Sequence, residues 1–306
     1  MQIRAMGPGA GWSWLKRGIN LGVHNPRAVF GAAALLMAVG LVPSCVQLFA
    51  QYVLHAQGTA LMGVVAFFVL LSLLVYPLLI GGFLRVIDAS EHGRPTRATA
   101  LFDAFRGGHG AARMIGFSLV MTVAYVVLIY LVLRSFGPGF MDWYWETMNT
   151  AMQASGSIDP KTLPTPPAPP ADVHFGRLFA LVSVAMLFLG GTYAIGFGQV
   201  ALGARGVGGA LADGVVGTLK NLLPILVLAI CAFVLGLVLV LCVALAGALL
   251  AVIGGLVSPA LSVVLVLPVY FGMLLVLYVV MFGVMYFLWR DVCGASDAPS
   301  GDAIAA

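Results

Sequence analysis

From Asn221 to Trp289 the chain runs for 69 residues without a single Asp, Glu, Lys, Arg or His. As helix, that length extends about 104 Å at 1.5 Å per residue, enough to cross a hydrocarbon core of about 30 Å at least twice. Its one break, Gly254-Gly255-Leu256-Val257-Ser258-Pro259, leaves a segment on either side longer than the roughly 20 residues that a membrane crossing needs. A chain built around such a stretch folds in lipid, where every backbone N–H and C=O must be satisfied internally.

The rest of the sequence agrees. Hydrophobic residues make up 61% and charged residues 8% of its 306 residues, against about 25% charged in soluble domains. Runs of spanning length cover 28–54, 59–87, 114–133, 178–202, 222–253 and 260–289. Pro43, Pro77 and Pro268 fall inside them and predict local kinks, whereas Pro26, Pro224 and Pro259 fall near helix starts, where proline is tolerated. Six helices are expected, with the first retained as an anchor. The box at Leu41-Val42-Pro43-Ser44-Cys45 is a poor cleavage site, since apolar sequence continues past it. The other cysteines, Cys231, Cys242 and Cys293, show no Cys-x-x-Cys spacing, and no disulfide framework is expected.

The net charge of +4 reads as topology. Nucleic acid is not an expected partner, since no basic cluster is dense enough to follow a phosphate backbone. Twelve of the fifteen basic residues (Arg4, Lys16, Arg17, Arg27, Arg85, Arg94, Arg97, Arg106, Arg113, Arg205, Lys220 and Arg290) flank the spans on one side, and Arg134, Lys161 and Arg177 flank them on the other. Cytoplasmic loops are enriched in Lys and Arg. Both termini are therefore expected in the cytoplasm, with outer turns near Ala56 and Leu256 and a long outer loop over 135–176.

Ala100-Leu101-Phe102-Asp103 is echoed by Ala210-Leu211-Ala212-Asp213. Each lies in a short stretch with apolar residues at helical spacing just before an outward-going span, and Trp12 to Val23 occupies the same place before the first. The expected fold is all-α and polytopic, with six transmembrane helices as three hairpins, each preceded by a short interfacial amphipathic helix. The single membrane domain, 1–306, would comprise unit 1 at 11–88, unit 2 at 98–203, unit 3 at 208–289 and a flexible tail at 292–306.

Chemistry-bearing residues are sparse. No ionisable residue stands in mid-span, where an ion-coupled transporter would normally carry one. The nearest are the inner-end charge pair Arg85 and Asp88, at i and i+3, and Arg290 with Asp291. The aromatic and acidic cluster Asp142, Trp143, Tyr144, Trp145 and Glu146 opens the long loop and reads as a short helix in the interfacial aromatic belt. A Pro-rich spacer follows at 161–170. His24, His55, His92, His109 and His174 lack the one-turn spacing of a metal site, and Asp172-x-His174 is too common to mean one. No nucleophile elbow or phosphate loop is present, and the Gly206-Val207-Gly208-Gly209 run lacks a preceding strand. Small residues at four-residue spacing, Gly190, Ala194 and Gly198, then Gly247, Ala251 and Gly255, suit close helix packing.

With Gly11-Trp12-Ser13-Trp14-Leu15-Lys16-Arg17-Gly18 followed by Asn25-Pro26, the chain resembles a group of uncharacterised bacterial inner-membrane proteins. The hairpin pattern is also distantly similar to the membrane region of some glycerophosphodiester phosphodiesterases. The resemblance implies a bacterial inner-membrane location and brings no catalytic residue. The leading expectation is a non-enzymatic component, without cofactor or metal, whose partners are membrane lipids, another membrane protein or a second copy of itself. Trp12, Trp14, Lys16, Arg17 and Arg106 are its expected inner-leaflet contacts. The rival is a permease for a small neutral or amphipathic solute, with a polar cavity lined by Tyr193, Gln199 and Asn221. A membrane-embedded enzyme ranks third, since no convergent acid, base or metal set is visible.

Overall fold

The computed structural model describes residues 3–55, 58–106, 110–137, 139–154, 167–170 and 173–294. The expected turn at Ala56, together with His109, Lys161, Asp172, most of the Pro-rich spacer and the tail from 295 on, lies outside them. Within them the chain is helical and contains no strand: α1 (Ala10–Ile19), α2 (Pro26–Tyr52), α3 (Thr59–Glu91), a 3-10 helix η1 (Ala98–Phe105), α4 (Ala111–Phe136), α5 (Phe140–Ala154), α6 (Phe175–Ala201), α7 (Val207–Lys220), α8 (Leu222–Gly255) and α9 (Pro259–Cys293). Six of these, α2, α3, α4, α6, α8 and α9, are long and apolar enough to cross a bilayer, which makes the chain a multi-pass integral membrane protein.

Local chemistry sets the ends of the long helices. Asn25 caps α2 by accepting from the Ala28 N–H at 3.2 Å, and Ser258 caps α9 by accepting from Leu261 at 3.2 Å. Each is followed by a proline at the first helical position, whose missing N–H would be unsatisfied there anyway. The middle of α8 leaves Phe233, Leu237, Leu241, Leu245 and Leu249 exposed. In water so long an apolar surface would drive association; in hydrocarbon it costs nothing.

The chain divides into two compact units, one made of residues up to 119 with those from 191 on, the other of 120–190. In the larger unit α2 packs along α3 and α8 along α9. Neither α1 nor η1 packs chiefly against the long helix that follows it in sequence, and α7 makes only a slight contact with α8. Instead η1 lies on α2 and α3, and α1 lies on α8 and α9. The α7 helix meets the 191–201 part of α6, where Gly217 lies against Ile195 and Thr218 against Gly191. Each short element thus rests on the pair preceding it, and α1 closes the cycle by resting on the last pair.

Glycine makes all three contacts. A Cβ on Gly11 of α1 would strike the Pro224 carbonyl of α8, one on Gly82 of α3 the Leu101 carbonyl of η1, and one on Gly214 of α7 the Thr192 carbonyl of α6. Backbone therefore approaches backbone at each junction, as small residues permit in membrane helices. Of the small-residue rows seen in the sequence, Gly190 faces open space, Gly198 lies against Trp289, and in α8 the close approach falls on Gly254, against the Ser262 backbone, rather than on Gly247 or Gly255.

Candidate functional site

The charged groups of the larger unit gather where α9 ends. Asp291 accepts from Trp14 Nε1 at 2.9 Å and from both terminal nitrogens of Arg17, and the Arg17 guanidinium lies 4.6 Å over the Phe287 ring. Five residues earlier on the helix, Tyr286 donates its hydroxyl to Asp88 Oδ1 of α3 at 3.0 Å. The other oxygen of Asp88 holds Arg94, and His92 Nδ1 stands 3.3 Å from Oδ1. Trp289 Nε1 donates to Gln199 Oε1 at 3.4 Å, and the Gln199 amide in turn donates to Asp213 Oδ2 at 2.9 Å, which Arg205 also reaches at 3.1 Å. Buried polar groups require partners, and these partners come from α1, α3, α6, α7 and α9.

Asn221, wholly buried between α7 and α8, pins the N-terminal segment. Its Oδ1 accepts from Met6 N at 2.7 Å and its Nδ2 donates to Arg4 O at 3.0 Å and to Gly217 O at 2.8 Å.

Between α3 and η1 lies a recess of about 630 Å³, lined by Arg85, Asp88, Arg94, Pro95, Thr96, Arg97, Ala100 and Asp103 among others. Three guanidinium groups face two carboxylates. Arg85 donates through Nε and Nη2 to the Ala201 carbonyl at 3.3 and 3.1 Å. Arg94 is held by Asp88, and Asp103 is paired with Arg106 at 3.1 Å. Arg97, exposed at the start of η1, makes no ion pair among the described residues. The recess therefore combines an excess of positive charge with a guanidinium that has no protein carboxylate to neutralise it.

The residues expected at the inner leaflet separate. Trp12 (47% exposed) and Lys16 remain on the open face of α1. Trp14, at 0% exposure, is core, and the Asp291 carboxylate accepts from its indole N–H inside the protein. Arg17 is likewise drawn to Asp291, and Arg106 is exposed beside Asp103. Arg85 and Asp88 share a helix, but their bonds run to Ala201 on one side and to Tyr286 and Arg94 on the other.

Of the residues expected to line a polar cavity, Gln199 hydrogen-bonds Asp213 and Asn221 hydrogen-bonds the N-terminal segment. Gln199 and Asn221 are buried, and the Tyr193 ring stacks on Phe197 with centroids 5.3 Å apart.

The smaller unit carries the aromatic cluster on α5. Trp143 Nε1 donates to the Pro167 carbonyl at 3.0 Å, and its ring packs edge-on against Phe175. Phe140 stacks with Tyr144, while Asp142, Trp145 and Glu146 are exposed. These contacts give the rings a structural role in holding α5 to the start of α6. Among the described residues no group of His, Cys, Asp and Glu is placed to hold a metal.

Compared with known proteins, the chain matches no family model, no curated protein and no solved structure.

Proposed function

We propose that this chain is a non-enzymatic component of the bacterial inner membrane that binds anionic lipid headgroups at its charged end. In this reading both termini and the arginine-lined recess face the cytoplasm. The six spans are three hairpins whose short helices lie at the inner interface. The observation that carries it is Arg97, which lines the recess beside Arg85 and Arg94 and has no carboxylate partner among the described residues. A lipid phosphate supplies what that guanidinium lacks, a bidentate acceptor. Lys16 and Arg27, exposed at the same end of the larger unit, extend the positive surface, and each such cation near an anionic leaflet contributes about 1 kcal/mol.

An apolar crevice of about 510 Å³ supports the same reading. Leu15 and Ile19 of α1 line it together with Leu228, Leu235, Val276 and Val280 of α8 and α9, so the residue after Leu15, Lys16, stands beside room for an acyl chain.

In nanodiscs containing phosphatidylglycerol and phosphatidylcholine, native mass spectrometry of the ejected protein reports which lipid it retains. Arg97→Ala is expected to lower retained phosphatidylglycerol about fivefold relative to phosphatidylcholine, the factor that about 1 kcal/mol implies. Equal retention by the variant and the parent would sink the assignment of the recess.

A further inference from the structure

The α2 and α3 helices touch closely at one level and part beyond it. At Gly40 the Tyr76 hydroxyl lies 2.9 Å from where a Cβ would stand, so a side chain there would have to push the phenol aside. Past it, a cleft of about 460 Å³ opens between Pro43, Ser44 and Gln47 of α2 and Val64, Phe68, Ser72 and Tyr76 of α3, with Val65, Val69 and Leu73 completing the wall. The four named α3 residues recur every fourth position and so form one face of that helix.

The lining is mostly apolar, but four of its ten residues are polar and carry groups without a hydrogen-bond partner among the described residues. Among the described residues the Gln47 amide and the hydroxyls of Ser44, Ser72 and Tyr76 make no hydrogen bond. A backbone carbonyl joins them. Proline lacks an N–H, so Pro77 leaves the Leu73 carbonyl without its usual intrahelical donor, and Leu73 lines the cleft. In hydrocarbon, groups of this kind are expensive without a partner.

The cleft lies inside the spans. Gln47 is about 8 Å from the end of α2 at Tyr52, and Ser72 about 20 Å from the start of α3 at Thr59, at 1.5 Å per residue. Val65 and Val69 on its rim are 39% and 55% exposed, so it opens sideways to lipid. No Asp, Glu, Lys, Arg or His lines it, so no cation in its wall would neutralise a phosphate. What fits is an apolar molecule bearing uncharged oxygen atoms that accept from Gln47, Ser44, Ser72 and Tyr76, with an aromatic wall at Phe68 and Tyr76.

We propose that the α2–α3 cleft binds a neutral lipid through its carbonyl or hydroxyl oxygens. Two membrane-soluble classes share this chemistry, a diacylglycerol and an isoprenoid benzoquinone. The full-length chain, in nanodiscs of phosphatidylethanolamine and phosphatidylglycerol, would be irradiated with a diazirine-bearing diacylglycerol, a diazirine-bearing benzoquinone or a diazirine-bearing phosphatidylglycerol. Labelled peptides would then be mapped by mass spectrometry. At least one neutral probe is expected to label residues 43–47 or 64–76 about five times more than the phosphatidylglycerol probe, and which one does so identifies the class. Gln47→Leu combined with Ser72→Ala should lower that labelling roughly tenfold, as the loss of two intramembrane hydrogen bonds implies. Tyr76→Phe, which removes only a hydroxyl oxygen, should lower it about threefold and keeps the test open if the double variant does not fold. Equal labelling by all three probes, labelling spread along all six long helices, or labelling unchanged in both variants would overturn the proposal.

Discussion

Asp291→Ala is expected to destabilise the protein by about 3 kcal/mol, the order found when one member of a part-buried charged pair is removed. The carboxylate is the acceptor for two groups on α1, the indole N–H of the wholly buried Trp14 and the guanidinium of Arg17. Alanine leaves both without it, and an unsatisfied buried donor alone costs about 1–3 kcal/mol. Asp291→Asn keeps one oxygen for Trp14 but loses the charge and one of the two acceptors for Arg17, so its loss should still be smaller than alanine's, about 1–2 kcal/mol. Because Asp291 joins the last long helix to the first short one, the effect should be local before it is global. Limited proteolysis in nanodiscs should release residues 10–19 from the Asp291→Ala protein well below its unfolding temperature, and from the Asp291→Asn protein much less readily. An Asp291→Ala protein with parental stability and an uncut α1 would contradict the role given to this carboxylate.

A second large effect is expected at Gly82. Its missing Cβ is the space into which the Leu101 carbonyl of η1 fits, and the neighbouring atom is backbone, which cannot rotate away. Gly82→Leu should therefore displace η1 and cost about 3 kcal/mol, at the upper end of overpacking penalties. Gly272 of α9 has nothing within 4 Å of where a Cβ would stand, so Gly272→Ala should fall within about 0.5 kcal/mol of the parent. Thermal unfolding of the two variants in the same nanodiscs separates the cases. If Gly82→Leu matched Gly272→Ala, the backbone contact between α3 and η1 would not be what seats the 3-10 helix. Since η1 carries Arg97 and Asp103 of the recess, its displacement should also lower retention of phosphatidylglycerol.

The long helices were legible because hydrocarbon imposes a composition that can be read residue by residue: an absence of charge over a spanning length. Their observed ends differ from the expected ones by only a few residues, the largest shifts being α3 running on to Glu91 and α9 to Cys293. The places of the short elements were legible too, through their apolar spacing, although the 3-10 geometry of η1 was not. Their docking partners were hidden. A row of Gly and Ala tells which helix can be approached closely, but not which other element approaches it, and α1 finds its partners at the far end of the chain on α8 and α9.

The partners of the site residues were hidden in the same way. Trp14 sits among Lys16 and Arg17 and reads as an interfacial anchor, yet its acceptor lies 277 positions away. Arg85 and Asp88 have the spacing of a local pair, but Tyr286 and the Ala201 carbonyl take them in different directions. Ser44, Gln47, Ser72 and Tyr76 carry no charge, so a search of the spans for ionisable groups passes over them. Only the meeting of α2 and α3 brings them to one cleft.

The central claim is a chain crossing the inner membrane six times with its arginine-lined end inside. It is tested most directly by labelling single cysteines in intact cells with a membrane-impermeant thiol reagent, in a protein whose four native cysteines are alanine. Cysteines at 97 and 205 should react only after the cells are permeabilised, and those at 145 and 257 should react without it. Labelling at 97 in intact cells, or protection at 145 and 257, would contradict the orientation and with it the assignment of the recess to the inner leaflet.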